Sequence, residues 1–188
     1  IKNEIIEGKE SILLVAQSPH PDIKALKLAI EQNKNYELEI SILSVDEWSP
    51  AQIANKKFDL VILHQLPGRG LNNNQFNQLI QDASALWYIV GSQTDLPALN
   101  RANNLVEIIS QNNDTDEVRA VFNPGFTGFK LDNNYQSTIE DFTPLMVPFG
   151  KINAKGNMTP LLYQRVGNVN TSQPLLVVGE EDNKKILR

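Results

Sequence analysis

The sequence predicts an α/β fold: a doubly wound, mainly parallel sheet with antiparallel additions in the C-terminal half. Three observations carry the prediction. Short runs that are apolar throughout recur over the first 110 residues, as strands buried on both faces require. Segments with apolar residues at helical spacing alternate with those runs, and right-handed crossovers then place helices on both faces of the sheet. Beyond Asn112 the alternation gives way to strand-like runs separated by long polar connections.

Residues 12–16, Ile-Leu-Leu-Val-Ala, are the first strand and run into Gln-Ser-Pro-His-Pro-Asp. From Asp22 the positions Ile23, Leu26, Leu28, Ala29 and Ile30 approximate a helical stripe, and Pro21 suits a helix start because its missing N–H would be unpaired there anyway. Residues 38–43 follow as a strand, Ser49-Pro50 opens a short helix to Asn55, and residues 59–63 form a second fully apolar strand. Residues 71–83 carry Phe76, Leu79, Ile80 and Ala83 at helical spacing; residues 86–90 are the next buried strand, 94–102 a short helix and 106–109 a fifth strand. Residues 117–122, 129–131, 161–166 and 174–179 read as antiparallel additions at one sheet edge, and 143–159 as a long loop.

Composition bounds the chemistry. A chain of 188 residues with 41% apolar and 21% charged residues makes one domain with a proper core. Nothing repeats, and there is no low-complexity linker, so residues 1–188 are a single domain. The absence of cysteine excludes thiolate nucleophiles, disulfides and thiolate zinc sites, and two histidines leave little for a metal site; no metal and no cofactor are expected. A net charge of −5 without a Lys/Arg cluster argues against nucleic acid. No window approaches the roughly 18–20 apolar residues of a membrane span. A start at Ile1 without methionine suggests a piece excised from a longer protein. The asparagines, including the sequons at Asn113, Asn157 and Asn170, fall where turns are expected.

In open α/β sheets, ligands bind beyond the carboxyl ends of the strands, where helix N-termini offer free N–H groups. Three segments sit there: Ser18-Pro19-His20-Pro21-Asp22, His64-Gln65-Leu66-Pro67-Gly68-Arg69-Gly70, and Gly91-Ser92-Gln93-Thr94-Asp95. Both histidines therefore fall on this edge, and His20, His64 and Ser92 would converge if the first, third and fourth strands are neighbours. A hydroxyl beside an imidazole oriented by Asp22 or Asp95 would make an acyl-transfer site. The plainer account is that short polar side chains next to Pro and Gly cap helices and satisfy turns. Ser92 follows Gly91 directly and precedes Gln93-Thr94, so the G-x-S-x-G pattern of a nucleophile elbow is absent and Ser92 or Thr94 reads as a helix cap. Gly68, Arg69 and Gly70, with Gln93 nearby, offer a weak anion-binding loop that lacks the P-loop lysine. Trp48, Trp87 and Tyr88 read as core or helix cover rather than a sugar platform.

The order of elements resembles the class I glutamine amidotransferase-like fold, a flavodoxin-like sheet with an antiparallel edge. The residues that carry it are 12–16, Phe58-Asp-Leu-Val-Ile-Leu-His64, and Leu86-Trp-Tyr-Ile-Val-Gly-Ser92 where that family places its nucleophile elbow. Pro19-His-Pro-Asp22, His64-Gln-Leu-Pro67 and Gln173-Pro-Leu-Leu-Val-Val178 look like an uncharacterised bacterial group of membrane-anchored, von Willebrand A-like or BatA-like proteins. Active amidotransferases of the class use Cys, with His and Glu downstream; this chain has no Cys, and its histidines come early, so glutaminase activity is not expected. The resemblance implies a non-catalytic binding or assembly module of a bacterial envelope protein, facing the periplasm, with a protein partner or small ligand at the strand carboxyl edge. The alternative is a hydrolase or sugar-processing enzyme of a trehalose-utilisation-like group using His20, His64 and Asp22.

Overall fold

The computed structural model describes residues 8–46, 56–69, 71–103, 105–181 and 184–187. The helix predicted over 49–55, Trp48 and Gly70 lie outside them. The described elements are β1 (Glu10–Ala16), α1 (Pro21–Glu31), β2 (Tyr36–Ile42), β3 (Leu60–His64), α2 (Asn73–Gln81), β4 (Ala85–Ile89), α3 (Leu96–Ala102), β5 (Val106–Phe122), α4 (Asn133–Glu140), β6 (Leu145–Ala154), β7 (Thr159–Val166), β8 (Val169–Glu181) and β9 (Lys184–Leu187). They build one sheet in the order β2-β1-β3-β4-β9-β8-β7-β5-β6. Pairings from β2 to β9 are parallel, and those from β9 to β6 are antiparallel.

The predicted doubly wound parallel sheet is therefore only part of the architecture. Its two-faced burial is real. Leu13, Val15, Val61, Leu63, Leu86 and Tyr88 pack on one face with Phe76 and Leu79 of α2 and Leu99 of α3. Ile12, Leu14, Ala16 and Ile62 pack on the other with Ile23 of α1. Because side chains alternate across a strand, an apolar run in β1 or β3 feeds both clusters at once.

The C-terminal half departs from expectation. Residues 106–109 are not a fifth parallel strand; they begin β5, a 17-residue strand that also takes in the predicted strand 117–122. A register shift between Ser110 and Thr115 absorbs the polar stretch that hides this continuity. The fifth parallel strand is β9, which pairs Lys185, Ile186 and Leu187 with Ala85, Leu86 and Trp87 of β4. Residues 129–131 form no strand, and α4 follows them. The predicted loop 143–159 contains β6, whose Pro148 and Gly150 an edge strand tolerates.

Candidate functional site

Three loops at the carboxyl ends of β1, β3 and β4 build the site. In the first, His20 caps α1: its backbone is extended, and its Nδ1 accepts a hydrogen bond from the Asp22 amide at 3.3 Å. Pro21 follows as the first helical residue, which aims Asp22 back toward the sheet. In the second, β3 ends at His64, between Ala16 of β1 and Ile89 of β4. His64 shares sheet parity with Ile62, so its ring emerges on the α1 face and meets the start of that helix.

His64 is 1% exposed, and its Nε2 lies 3.2 Å from Asp22 Oδ2. The same carboxylate oxygen lies 3.2 Å from His20 Nδ1, and the two imidazole rings stand 4.9 Å apart, centroid to centroid. One acidic oxygen is thus shared by both histidines of the chain. Burial pushes the His64 pKa below its ordinary value; the hydrogen bond to Asp22 opposes this, the charge of His20 adds to it, and the Asp22 charge opposes it.

That shift fixes a pH dependence. The folded state resists protonation of His64 more than the unfolded chain does, so the stability it supplies is complete above the unfolded value of about 6.5 and is lost as pH falls through the lowered folded value. In chelator-treated protein, the urea midpoint is expected to fall between about pH 7.5 and pH 5, and to fall less in His64→Leu. Equal losses in both proteins would show that His64 is not the group responsible.

The second loop continues through Gln65, whose φ of 58° is the sole left-handed backbone of a non-glycine among the described residues. Such a conformation costs about 1–2 kcal/mol and persists only where its surroundings hold it. They do so here: Gln65 N donates to Ile89 O at 2.7 Å, Gln65 Oε1 accepts from Gln93 N at 2.9 Å, and the carboxamide packs on Gly91, where a Cβ would fall 2.7 Å from its Cδ. Sequence reasoning missed Gln65; the signal was its place between a strand end and Pro67, which is joined to Leu66 by a cis peptide bond.

The third loop is a turn in which Thr94 N donates to Gly91 O and Thr94 Oγ1 accepts from Gly91 N, each at 3.1 Å. Ser92 sits within this turn, exposed, without the left-handed backbone of a nucleophile elbow and without a hydrogen bond to either imidazole. Neither Ser92 nor Thr94 caps α3. Asp95 does, accepting from Ala98 N at 2.9 Å, because the turn delays the helix to Leu96.

The predicted residues converge in two groups. His20, Asp22, His64 and Ser92 line one cavity of about 350 Å³, whose lining also takes in Ser110 of β5 and Met146 of β6. Arg69 and Gln93 line a second of about 330 Å³ with Gln17, Ser18 and Ser92, and Ser18 Oγ donates to Gln93 Oε1. Gly68 is a packing position: it bridges to Thr94, and a Cβ on it would collide with the Gln17 carboxamide. A third cavity of about 340 Å³ adjoins the histidine cavity, shares Asp22, Ile89 and Met146 with it, and is walled by Trp87, Val106, Ile108 and Val177. Of the residues that line the histidine cavity, His64 and Ser110 each hold a buried polar atom, Nδ1 and Oγ, with no hydrogen-bond partner.

No family model matches this chain, and no curated protein matches it in sequence. Comparison with solved structures does find similarity. PurLQS from Thermotoga maritima is similar over 95% of this chain and 85% of that chain, with a TM-score of 0.53 and 15% identity. A Thermoplasma acidophilum protein described as part of a GMP synthase matches 95% of this chain over 82% of its own, at 10% identity and a TM-score of 0.46. The first likeness is one of fold alone.

Proposed function

We propose that this chain is a non-catalytic binding module whose cleft, at the carboxyl edge of the parallel strands, takes a small ligand with a polar head and an apolar body. The observation that carries the reading is that His64 and Ser110, which both line the histidine cavity, each hold a buried polar atom, Nδ1 and Oγ, with no hydrogen-bond partner. Leaving a buried polar group unpaired costs about 1–3 kcal/mol, which a ligand group bonded to it would recover. The adjoining cavity is largely aliphatic and aromatic, so it suits the apolar part of the same molecule.

The chain has no cysteine to serve as the nucleophile of an amidotransferase, and Ser92 has neither the backbone nor the base contact of a replacement. The placement in a bacterial envelope protein rests on the likeness of Pro19-His-Pro-Asp22 and His64-Gln-Leu-Pro67 to the membrane-anchored group. A second reading, hydrolysis through His20, Asp22 and His64, is favoured by the 3.2 Å contact that orients the His64 ring.

Anilinonaphthalene sulfonate, whose apolar body matches the aliphatic and aromatic lining of the adjoining cavity, is the probe. It is expected to bind saturably at one site, and Met146→Glu, at a rim position 60% exposed, is expected to weaken it about tenfold by charge repulsion and lost apolar contact. Non-saturating fluorescence, or equal affinity in the variant, would refute the cleft as the site. Steady hydrolysis of glutamine or a nitrophenyl ester, lost in His64→Ala, would establish the second reading instead.

A further inference from the structure

We propose that His20, Asp22 and His64 bind a divalent transition-metal ion of the zinc class. One ligand atom from each residue lies within 4.8 Å of the other two, the only such group of three His, Cys, Asp or Glu side chains among the described residues. The donor set, two imidazoles and a carboxylate, is one that zinc takes, and harder ions such as magnesium do not favour imidazole.

Distances agree with the chemistry. With metal–ligand bonds of about 2.0–2.1 Å, neighbouring donors stand about 3.0 Å apart in an octahedral shell and about 3.4 Å apart in a tetrahedral one. Asp22 Oδ2 is 3.2 Å from His20 Nδ1 and 3.2 Å from His64 Nε2, so two edges of such a shell already have the right length. The third needs a modest swing of His20, whose side chain is 40% exposed.

Proton counting supplies a second argument. In the tautomer whose Nδ1 accepts the Asp22 amide proton, His20 turns a lone pair rather than a proton toward Asp22 Oδ2, 3.2 Å away. A cation resolves that opposition. The α1 N-terminus contributes partial positive charge nearby, which the Asp22 carboxylate offsets. The three donors line the cavity that Ser92 and Ser110 also line, so a fourth coordination position would face the cleft. Three protein ligands with one open position is the arrangement in which zinc meets a ligand from solution.

The site explains why both histidines of the chain sit at this edge, yet it does not require the amphiphile reading. Zinc uptake tests one, and sulfonate binding by chelator-treated protein tests the other.

The tag-free chain, stripped with chelator, is titrated with Zn²⁺ against a chromophoric competitor and with Co²⁺ by visible absorption. One ion per chain is expected, with Co²⁺ bands of a nitrogen and oxygen shell. His20→Ala and Asp22→Asn change exposed side chains and leave the core intact; each is expected to weaken Zn²⁺ binding about 100-fold, since even outer-shell partners are worth about 10–100-fold. Absence of stoichiometric uptake would overturn the proposal, as would uptake indifferent to both substitutions in variants whose circular dichroism matches that of the parent.

Discussion

Replacing Gly150 by alanine is expected to lower the stability of this protein by about 3 kcal/mol or more, a loss at the upper end of what single substitutions produce. Gly150 stands in β6 opposite Ser110 of β5, at the last pair before the register shifts, and its φ is 149°. A Cβ added there would fall 2.0 Å from Ile109 O and 2.9 Å from Ser110 Cα. Both are backbone atoms in a paired strand, so no rotamer change relieves the collision; β5 and β6 must separate. Gly156, with φ of 60° and open space around it, is the control, where alanine costs only the backbone conformation, about 1–2 kcal/mol. Urea unfolding of both variants decides the matter, and equal losses would show that the close approach is not real. Because Ser110 lines the histidine cavity, Gly150→Ala is also expected to weaken sulfonate binding in whatever fraction remains folded.

Leu14→Ala is expected to cost about 3 kcal/mol, within the range of about 2–5 kcal/mol for fully buried leucines. Leu14 is 0% exposed at the centre of β1, beside Ile40 of β2 and Ile62 of β3. Strands paired on both sides prevent the sheet from closing over the void, so the cavity term is retained. Above it lies Ile23 of α1, one residue beyond Asp22, so this cluster also seats the helix that carries the acid of the site. Leu28→Ala on the same helix, 55% exposed, is expected to change stability by no more than about 0.5 kcal/mol. If the two substitutions cost the same in chemical denaturation, α1 does not pack on the sheet as described.

Parts of this structure are legible in the residues for reasons that can be named. The runs 12–16 and 59–63 are apolar at every position or nearly so, and only a strand covered on both faces has use for that pattern. Parallel pairing then puts the segments after β1, β3 and β4 at one edge, which is why His20, His64 and Ser92 are expected together and do line one cavity. Other parts leave no local mark. Helix α4, Asn-Asn-Tyr-Gln-Ser-Thr-Ile-Glu, buries no apolar stripe, so there is no period to find. Strand β6 contains Pro148 and Gly150, which argue against a strand unless it is known to lie at the edge of the sheet.

The two-faced core, the parallel order at its centre and the absence of a thiol nucleophile follow from the residues alone, because burial on both faces and residue chemistry are local properties. Long-range packing had to supply the rest: that β9 returns to pair with β4, that Gln65 is held in a left-handed conformation, and that one carboxylate oxygen of Asp22 serves two histidines 44 residues apart (64 − 20) in the chain. Each of these depends on which distant segment arrives to provide a hydrogen-bond partner or a packing surface. A strand edge accepts whichever strand reaches it, a strained backbone persists only where its neighbours hold it, and a shared acid requires two loops at the same edge.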